Sequence, residues 1–175
     1  MQSHSVQAPS AWVTRFAPTI RARGRVPDLA AGGGRHARHL AAMGFDVTAV
    51  DRDVGGLAGF AGRIVAVDLE DGRPWTLGGG WDAIVVTNYL HRPLFAPLTA
   101  ALAEGGLLLY ETFAVGNERF GKPSNPDFLL RPGELLRAFA ALTVVAFEQG
   151  AVATPRPAVV QRLAARRGAF PPPLS

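Results

Sequence analysis

The sequence predicts an α/β domain, with a mostly parallel sheet held between two layers of helices. Three observations carry this. Gly32-Gly33-Gly34 separates an apolar stretch ending in Asp28-Leu29 from a helix-forming segment, residues 35–43. The next two apolar stretches end in acids as well, so Asp28, Asp51 and Asp68 follow one another at intervals of 23 and 17 residues. An open α/β sheet builds its site at the carboxyl ends of its strands, where these acids fall. Lastly, residues 81–87 form a continuous apolar run after Asp82, the pattern of a parallel strand buried on both faces.

Taken in order, residues 1–23 form an arm with a short helix, residues 24–167 the domain, and residues 168–175, with Pro171-Pro172-Pro173, a flexible tail. Residues 1–9 are expected to be flexible. The helix starts after Ser10 as N-cap, puts Val13, Phe16 and Ala17 on one face, and stops at Pro18. Its Trp12 and Phe16 are candidates either for a lid over a ligand or for plain cover of the sheet. The first strand, residues 24–29, contains Pro27, which has no N–H for a ladder bond. Glycines then let the backbone approach a ligand closely. The free N–H groups of the helix at 35–43 point back into that turn and favour negative charge.

The second strand is 45–51. Gly55, Gly56 and Gly59 leave residues 54–60 at most a feeble helix. The third strand is 64–68, followed by a loop rich in Gly and Pro through residue 80. The fourth strand, 81–87, exits into the polar run Asn88-Tyr89-Leu90-His91-Arg92-Pro93. A helix from about residue 94 to 103 is closed by Gly105-Gly106, and a fifth strand, 107–110, exits into Glu111-Thr112-Phe113. Residues 114–130 make a long loop with Phe120 and Phe128, read as a lid on the substrate side. A helix opens at Pro132-Gly133-Glu134 and reaches about residue 141. Two last strands, 142–149 and 158–165, form an antiparallel hairpin. No internal repeat is seen.

The turn leaves two kinds of ligand open. Gly32 to Ala37 fits G-x-G-x-x-G/A, and Asp51 lies 19 residues past Gly32, as in a dinucleotide fingerprint. Asp28 decides against it. A carboxylate beside a diphosphate is repelled by roughly 4 kcal/mol per charge pair at about 4 Å and an effective dielectric near 20. A ligand carrying an ammonium and a sulfonium is favoured instead, and S-adenosylmethionine is one.

Asp28-Leu29-Ala30-Ala31-Gly32-Gly33-Gly34-Arg35-His36 resembles motif I of the class I S-adenosylmethionine-dependent methyltransferases, most closely the small, single-domain members of the tellurite-resistance-type group. The likeness runs from about Val26 to Leu163. It implies a three-layer Rossmann-like methyltransferase sandwich, with a mostly parallel seven-stranded sheet and an antiparallel C-terminal hairpin. That family has an apolar residue where this chain has Pro27. The resemblance implies that S-adenosylmethionine is held by Asp28, Ala30, Gly32, Gly34, Asp51, Arg52, Asp68, Leu69 and Asn88, with S-adenosylhomocysteine as product. Asp51 would take the ribose hydroxyls, Asp68 and Leu69 the adenine, Asp28 the methionine ammonium and Asn88 the methionine end.

On the acceptor side the candidates are His91 as a base titrating near neutral pH, and Tyr89, Arg92, Glu111, Asn117 and Phe120 as substrate contacts. Of these, Asn117 and Phe120 are weaker candidates, as is Asn125 in the same loop. Arg92 is placed either to hold an anion or to pair with Glu111. His91 is equally suited to fixing its loop, and the loop asparagines to turn chemistry alone.

Composition narrows the function. A chain of 175 residues, 48% hydrophobic and 18% charged, is expected to be one soluble domain. It has no apolar run long enough to span a membrane and no signal-like N-terminus, so a cytoplasmic protein is expected. The absence of cysteine excludes disulfides and thiolate chemistry, and His4, His36, His39 and His91 lack a metal-ligand spacing. The net charge of +4 invites a nucleic-acid partner, but all basic residues except Lys122 are arginines scattered in short runs. Arg162, Arg166 and Arg167 are the best candidate patch, with a solvated strand end the favoured reading. The expected partner is a small-molecule methyl acceptor, and the protein a monomer or homodimer. The rivals are an RNA methyltransferase, a non-catalytic S-adenosylmethionine-binding regulator and, more distantly, a nicotinamide-dependent oxidoreductase.

Overall fold

The computed structural model of the chain describes residues 7–168; expectations for the first six residues and for the Pro171-Pro172-Pro173 tail lie outside them. In chain order the elements are α1 (Ala11–Phe16), β1 (Arg25–Leu29), α2 (Arg35–Ala42), β2 (Asp46–Asp51), β3 (Arg63–Ala66), β4 (Trp81–Thr87), α3 (Phe95–Ala101), β5 (Leu102–Phe113), α4 (Glu134–Ala138), β6 (Thr143–Val152) and β7 (Ala158–Arg166). The strands form one sheet in the order β3-β2-β1-β4-β5-β7-β6. Strands β1 to β5 run parallel, and β7 is inserted antiparallel between β5 and β6. Chain order reverses between β1 and β4, which opens a crevice at their carboxyl ends.

Alternation along the strands divides the core into two layers. On one face Leu29, Ile84, Val86, Leu108, Tyr110 and Leu163 pack with Leu98 of α3 and Leu135 of α4. On the other, Val26, Val47, Val85, Leu107 and Leu109 pack with Leu40 of α2 and with Trp12, Val13 and Phe16 of α1. Ser10 caps α1, its Oγ accepting from the Trp12 N–H at 3.1 Å. Trp12 and Phe16 are core residues. The Trp12 indole N–H donates to the Leu163 carbonyl of β7 at 3.2 Å, the sheet-covering alternative.

Pro27 sits in a central strand because its missing donor falls in a gap. It is in register with Thr48 of β2, whereas the β1–β4 ladder covers only Asp28 and Leu29. N–H groups alternate sides along a strand. The Arg25 N–H, two residues back, turns toward β4 and is taken by the Asp82 carboxylate at 2.8 Å. Pro27 would face the same side, where no ladder bond is required of it.

Residues 54–60 hold a single 3-10 turn, Gly55–Leu57, in keeping with the feeble helix expected there. Other boundaries differ from expectation. Asp68 lies beyond the end of β3 rather than in it. Gly105-Gly106 does not close a helix ahead of the fifth strand. Strand β5 already starts at Leu102 opposite Trp81, resumes pairing at Leu107 opposite Ala83, and bulges between. A Cβ on Gly106 would lie 2.7 Å from the Trp81 carbonyl oxygen, so the bulge itself demands glycine there.

Candidate functional site

The site is built around the turn from β1 to α2. Ala30, Gly32 and Gly34 all have positive φ (52°, 53° and 73°), which turns the chain sharply enough to aim α2 back at the strand end. Side chains added at Gly32 or Gly33 would meet nothing within 4 Å, because both face open space. At Gly34 a Cβ would come within 2.7 Å of Leu57 Cδ2. The turn is therefore open on its ligand side and tightly packed on its core side.

Two acids tie this turn to the sheet. Asp28 Oδ2 accepts the Ala37 N–H of α2 at 3.0 Å. Asp28 Oδ1 is buried and has no partner. Burial pushes the carboxyl up to about 7, with the nearby Asp51 charge adding to it, while the Ala37 N–H and Arg35 act in the opposite direction. Asp51, at the end of β2, accepts the Gly32 N–H on Oδ2 (2.8 Å) and the Asp53 N–H on Oδ1 (2.9 Å). Asp68 Oδ1 accepts the Glu70 N–H at 2.9 Å.

These strand ends border two cavities that meet at Ala30. One, of about 390 Å³, is lined by Asp51, Arg52, Asp68 and Leu69, with Glu70, Tyr89 and Phe128 opposite. The other, of about 730 Å³, is lined by Gly32, Gly33, Arg35, His36, Thr87 and Asn88 among others. Asn88 has φ +54° and donates its N–H to the Glu111 carbonyl. Among the described residues only Arg23, Ala30 and Asn88 are non-glycines with positive φ, and two of these three line the cleft. Strained backbone of this sort collects at ligand sites. Of the residues implied for the cofactor, Ala30, Gly32, Asp51, Arg52, Asp68, Leu69 and Asn88 line the cleft, while Asp28 and Gly34 support it from beneath.

The acceptor-side candidates separate further. Tyr89 lines the cleft, its phenol pushed well above the ordinary range by burial and by the Glu70 carboxylate. His91 lines neither cavity; its carbonyl accepts the Leu94 N–H and begins the 3-10 turn Arg92–Leu94. Arg92 does not pair with Glu111. Its guanidinium grips Glu134 (Nε to Oε1, 2.6 Å) and the carbonyls of Asp127 and Leu129, so its donors are spent within the protein. Glu111 is buried and bound instead by Arg162 and by the Ser10 hydroxyl (2.7 Å). Asn117 is also buried, its amide bridging the Pro123 carbonyl and the Val159 N–H. Phe120 is exposed beside Arg119 and away from both cavities. Asn125 caps the turn Pro126–Phe128 through the Asp127 N–H. Arg92 and Asn117 follow strand ends in sequence, but the fold turns them onto neighbouring segments, which they hold in place; Glu111 lies within β5, in register with Arg162 of β7.

The arginine cluster is likewise engaged. Arg162 pairs with Glu111 and Glu148, Arg166 donates to the Thr19 and Gly105 carbonyls, and Arg167 to those of Ala100 and Leu102.

Among the cleft residues not named as candidates are Glu70, Phe128 and His36. Glu70 stands two residues from Asp68, and Phe128 in the aromatic loop, so weak signals existed for both. His36 closes the glycine motif, but nothing in the sequence gave it a role. Its Nε2 accepts the Ser10 N–H at 3.0 Å, which leaves the proton on Nδ1, 3.2 Å from the Thr87 hydroxyl. Burial, with Arg35 and His39 nearby, lowers it to about 3, so it is neutral. Among the described residues no three His, Asp or Glu side chains are grouped to hold a metal, and no helix is long and apolar enough to cross a membrane.

No family model and no curated protein sequence matches the chain. Solved structures do. TehB from Haemophilus influenzae superposes with a TM-score of 0.78 at 18% identity, over 94% of this chain and 64% of that one. This chain thus spans less than two thirds of TehB. The N-methyltransferase NodS from Bradyrhizobium japonicum gives 0.68 at 18% identity, over 90% of this chain and 93% of its own. An S-adenosylmethionine-dependent methyltransferase from Mesorhizobium loti gives 0.67 at 18%, over 90% and 99%. Strand order, the glycine turn and these likenesses agree: the chain has the fold of the class I S-adenosylmethionine-dependent methyltransferases.

Proposed function

We propose that this protein is an S-adenosylmethionine-dependent methyltransferase acting on a small-molecule acceptor. The observation that carries the reading is the pair of acids around one open turn. Asp28 keeps a buried, unpartnered Oδ1 beneath the turn, and Asp51 is locked to Gly32 beside a cleft rimmed by Asp68 and Glu70. Three carboxylates against Arg52 make that part of the cleft suit a cation, by the same few kcal/mol per charge pair, while Arg35 and Arg38 line the cavity at the turn.

The residues present fit the cofactor. Asp51 holds the ribose hydroxyls, with both oxygens already oriented by backbone N–H groups. Asp68 and Leu69 border the part of the cleft suited to a flat base, closed on the other side by Phe128. Asp28 supplies the compensating negative charge for an ammonium at the Gly32–Gly34 turn, and Asn88 faces the same cavity. When bound, S-adenosylmethionine would supply an electrophilic methyl group on its sulfonium sulfur. The chain's part is alignment and exclusion of water, which can be worth roughly 7–11 kcal/mol of effective concentration.

Calorimetric titration with S-adenosylmethionine, S-adenosylhomocysteine and NAD tests this. Binding of the first two, weakened by Asp51→Ala, is the expected result. Binding of NAD alone overturns the reading. Cofactor binding with no transfer to any acceptor moves the protein to the regulator class.

A further inference from the structure

Beyond the exit of β4 the cleft continues away from the acids. A cavity of about 240 Å³, bounded by Glu70, Asn88, Tyr89 and Thr112, shares Phe113, Pro123 and Phe128 with a second depression of about 400 Å³. Phe113, at the end of β5, and Phe128 wall that depression, and Lys122 and Arg156 border it. Lys122 comes from the loop after β5, and Arg156 from the turn between β6 and β7, so two distant segments bring a cation each to one spot.

Of the other basic residues near the sheet ends, Arg52 lines the acidic end of the cleft, while Arg35 and Arg38 line the cavity at the glycine turn and donate to the Ala8 and Ala58 carbonyls. Arg15, Arg92 and Arg162 are bound by carboxylates, and Arg166 and Arg167 by carbonyls. Among the described residues, neither Lys122 nor Arg156 joins an ion pair. Phe128 between them and the cleft is 51% exposed, a large apolar surface left uncovered. Asp51, Asp68 and Glu70 outnumber Arg52 at one end of the connected cavities, and Lys122 and Arg156 border the other, with aromatic surface between.

We propose that this depression is the acceptor subsite, and that it takes a small carboxylate with an apolar or aromatic body. The body lies against Phe113 and Phe128, while Lys122 and Arg156 hold the acid group by charge-assisted hydrogen bonds. The acid is a handle. It sits at the far end of the cleft, and the accepting atom is carried on the part of the molecule that reaches back toward Asn88. The acids at the near end repel the same group and so set the direction in which the acceptor enters. This inference rests on the methyltransferase reading, since it names the substrate class of that site.

The test is calorimetric titration of the full chain with benzoate, phenylacetate and hexanoate, and with benzamide, phenylacetamide and hexanamide as neutral counterparts. It is run with and without saturating S-adenosylhomocysteine, on wild type and on Lys122→Gln/Arg156→Gln. At least one carboxylate is expected to bind about tenfold or more tighter than its amide, and to lose that advantage in the double variant, as the loss of charge-assisted bonds implies. Sulfate is expected to bind more weakly than that carboxylate. Three results overturn the proposal: amides binding as well as acids, the double variant binding carboxylates as wild type does, or no member of the panel binding at all. Sulfate binding as tightly as the best carboxylate overturns the role of Phe113 and Phe128. Titration with S-adenosylhomocysteine alone reads the parent assignment separately: its failure sinks the methyltransferase reading, while the carboxylate arms still decide the subsite.

Discussion

The Gly32 N–H donates to Asp51 Oδ2 across 2.8 Å, so the turn after β1 and the end of β2 are one unit. Asp51 orders the turn and faces the cleft with the same carboxylate. Asp51→Ala is expected to weaken S-adenosylhomocysteine at least tenfold, since a charge-assisted contact is worth about 1.5–3 kcal/mol. Asp51→Asn, which keeps one acceptor oxygen, should lose less. Calorimetry on the two variants checks the order; equal losses would mean that charge alone matters.

Gly34 and Leu57 interlock. An alanine at Gly34 meets both a φ of +73° and Leu57 Cδ2 at 2.7 Å. The backbone part costs about 1–2 kcal/mol, and crowding a packed core roughly 1–3 more. Denaturant unfolding of Gly34→Ala, Leu57→Ala and the double variant should show the two losses failing to add, because removing Leu57 makes room for the new methyl. Full additivity would refute the interlock.

Asp28 and His36 pull stability in opposite directions with pH. Asp28 titrates near its ordinary 3.8 in the unfolded chain and at about 7 when folded, so the folded protein holds more protons between. Its contribution falls as pH rises through about 4 to 7. His36 goes from 6.5 unfolded to about 3 folded, so the unfolded chain holds more protons between those values. Its contribution rises with pH through about 3 to 6.5. Each is of order 4 kcal/mol across its window. The wild type should therefore change little between pH 4 and 6.5 from these two groups. Asp28→Asn should grow more stable with rising pH there, and His36→Gln less stable. Thermal melts at several pH values distinguish these slopes.

A cation bound near Asp28 favours its charged form. S-adenosylhomocysteine, with its ammonium, is therefore expected to bind more tightly as pH rises toward 7, with proton release. Asp28→Asn should flatten that dependence. An unchanged pH profile in this variant would place the ammonium elsewhere.

Glu111 and Arg162 form a largely buried pair that also holds Ser10. Glu111→Gln leaves the guanidinium with only the half-exposed Glu148 as counter-charge and should destabilise the chain, by at most the roughly 3–5 kcal/mol of a broken buried pair. Adding Arg162→Met should recover part of this. Chemical denaturation of the single and double variants measures the coupling; no recovery would assign the cost to Ser10 instead.

What the sequence determined by itself was local and periodic. Runs of apolar residues specified strands β1 to β5; β4, at the centre of the sheet, is the most continuous run because it is buried on both faces, whereas the edge strand β3 is mostly exposed. Glycines and prolines marked the turns, and the intervals between Asp28, Asp51 and Asp68 placed the acids at strand ends. That Ala30, Gly32, Asp51, Arg52, Asp68, Leu69 and Asn88 would share one cleft was legible for that reason, each lying within a few positions of a strand end. The partners of long polar side chains were not legible. Arg92 meets Glu134 and not Glu111, and Asn117 holds Pro123 and Val159. His36 joins Ser10 to Thr87, while Lys122 and Arg156 share one depression. Each pairing spans segments that local propensity does not relate. A guanidinium or amide several bonds from its backbone can reach many neighbours, and only the packing of the finished sheet and its loops decides which of them it meets.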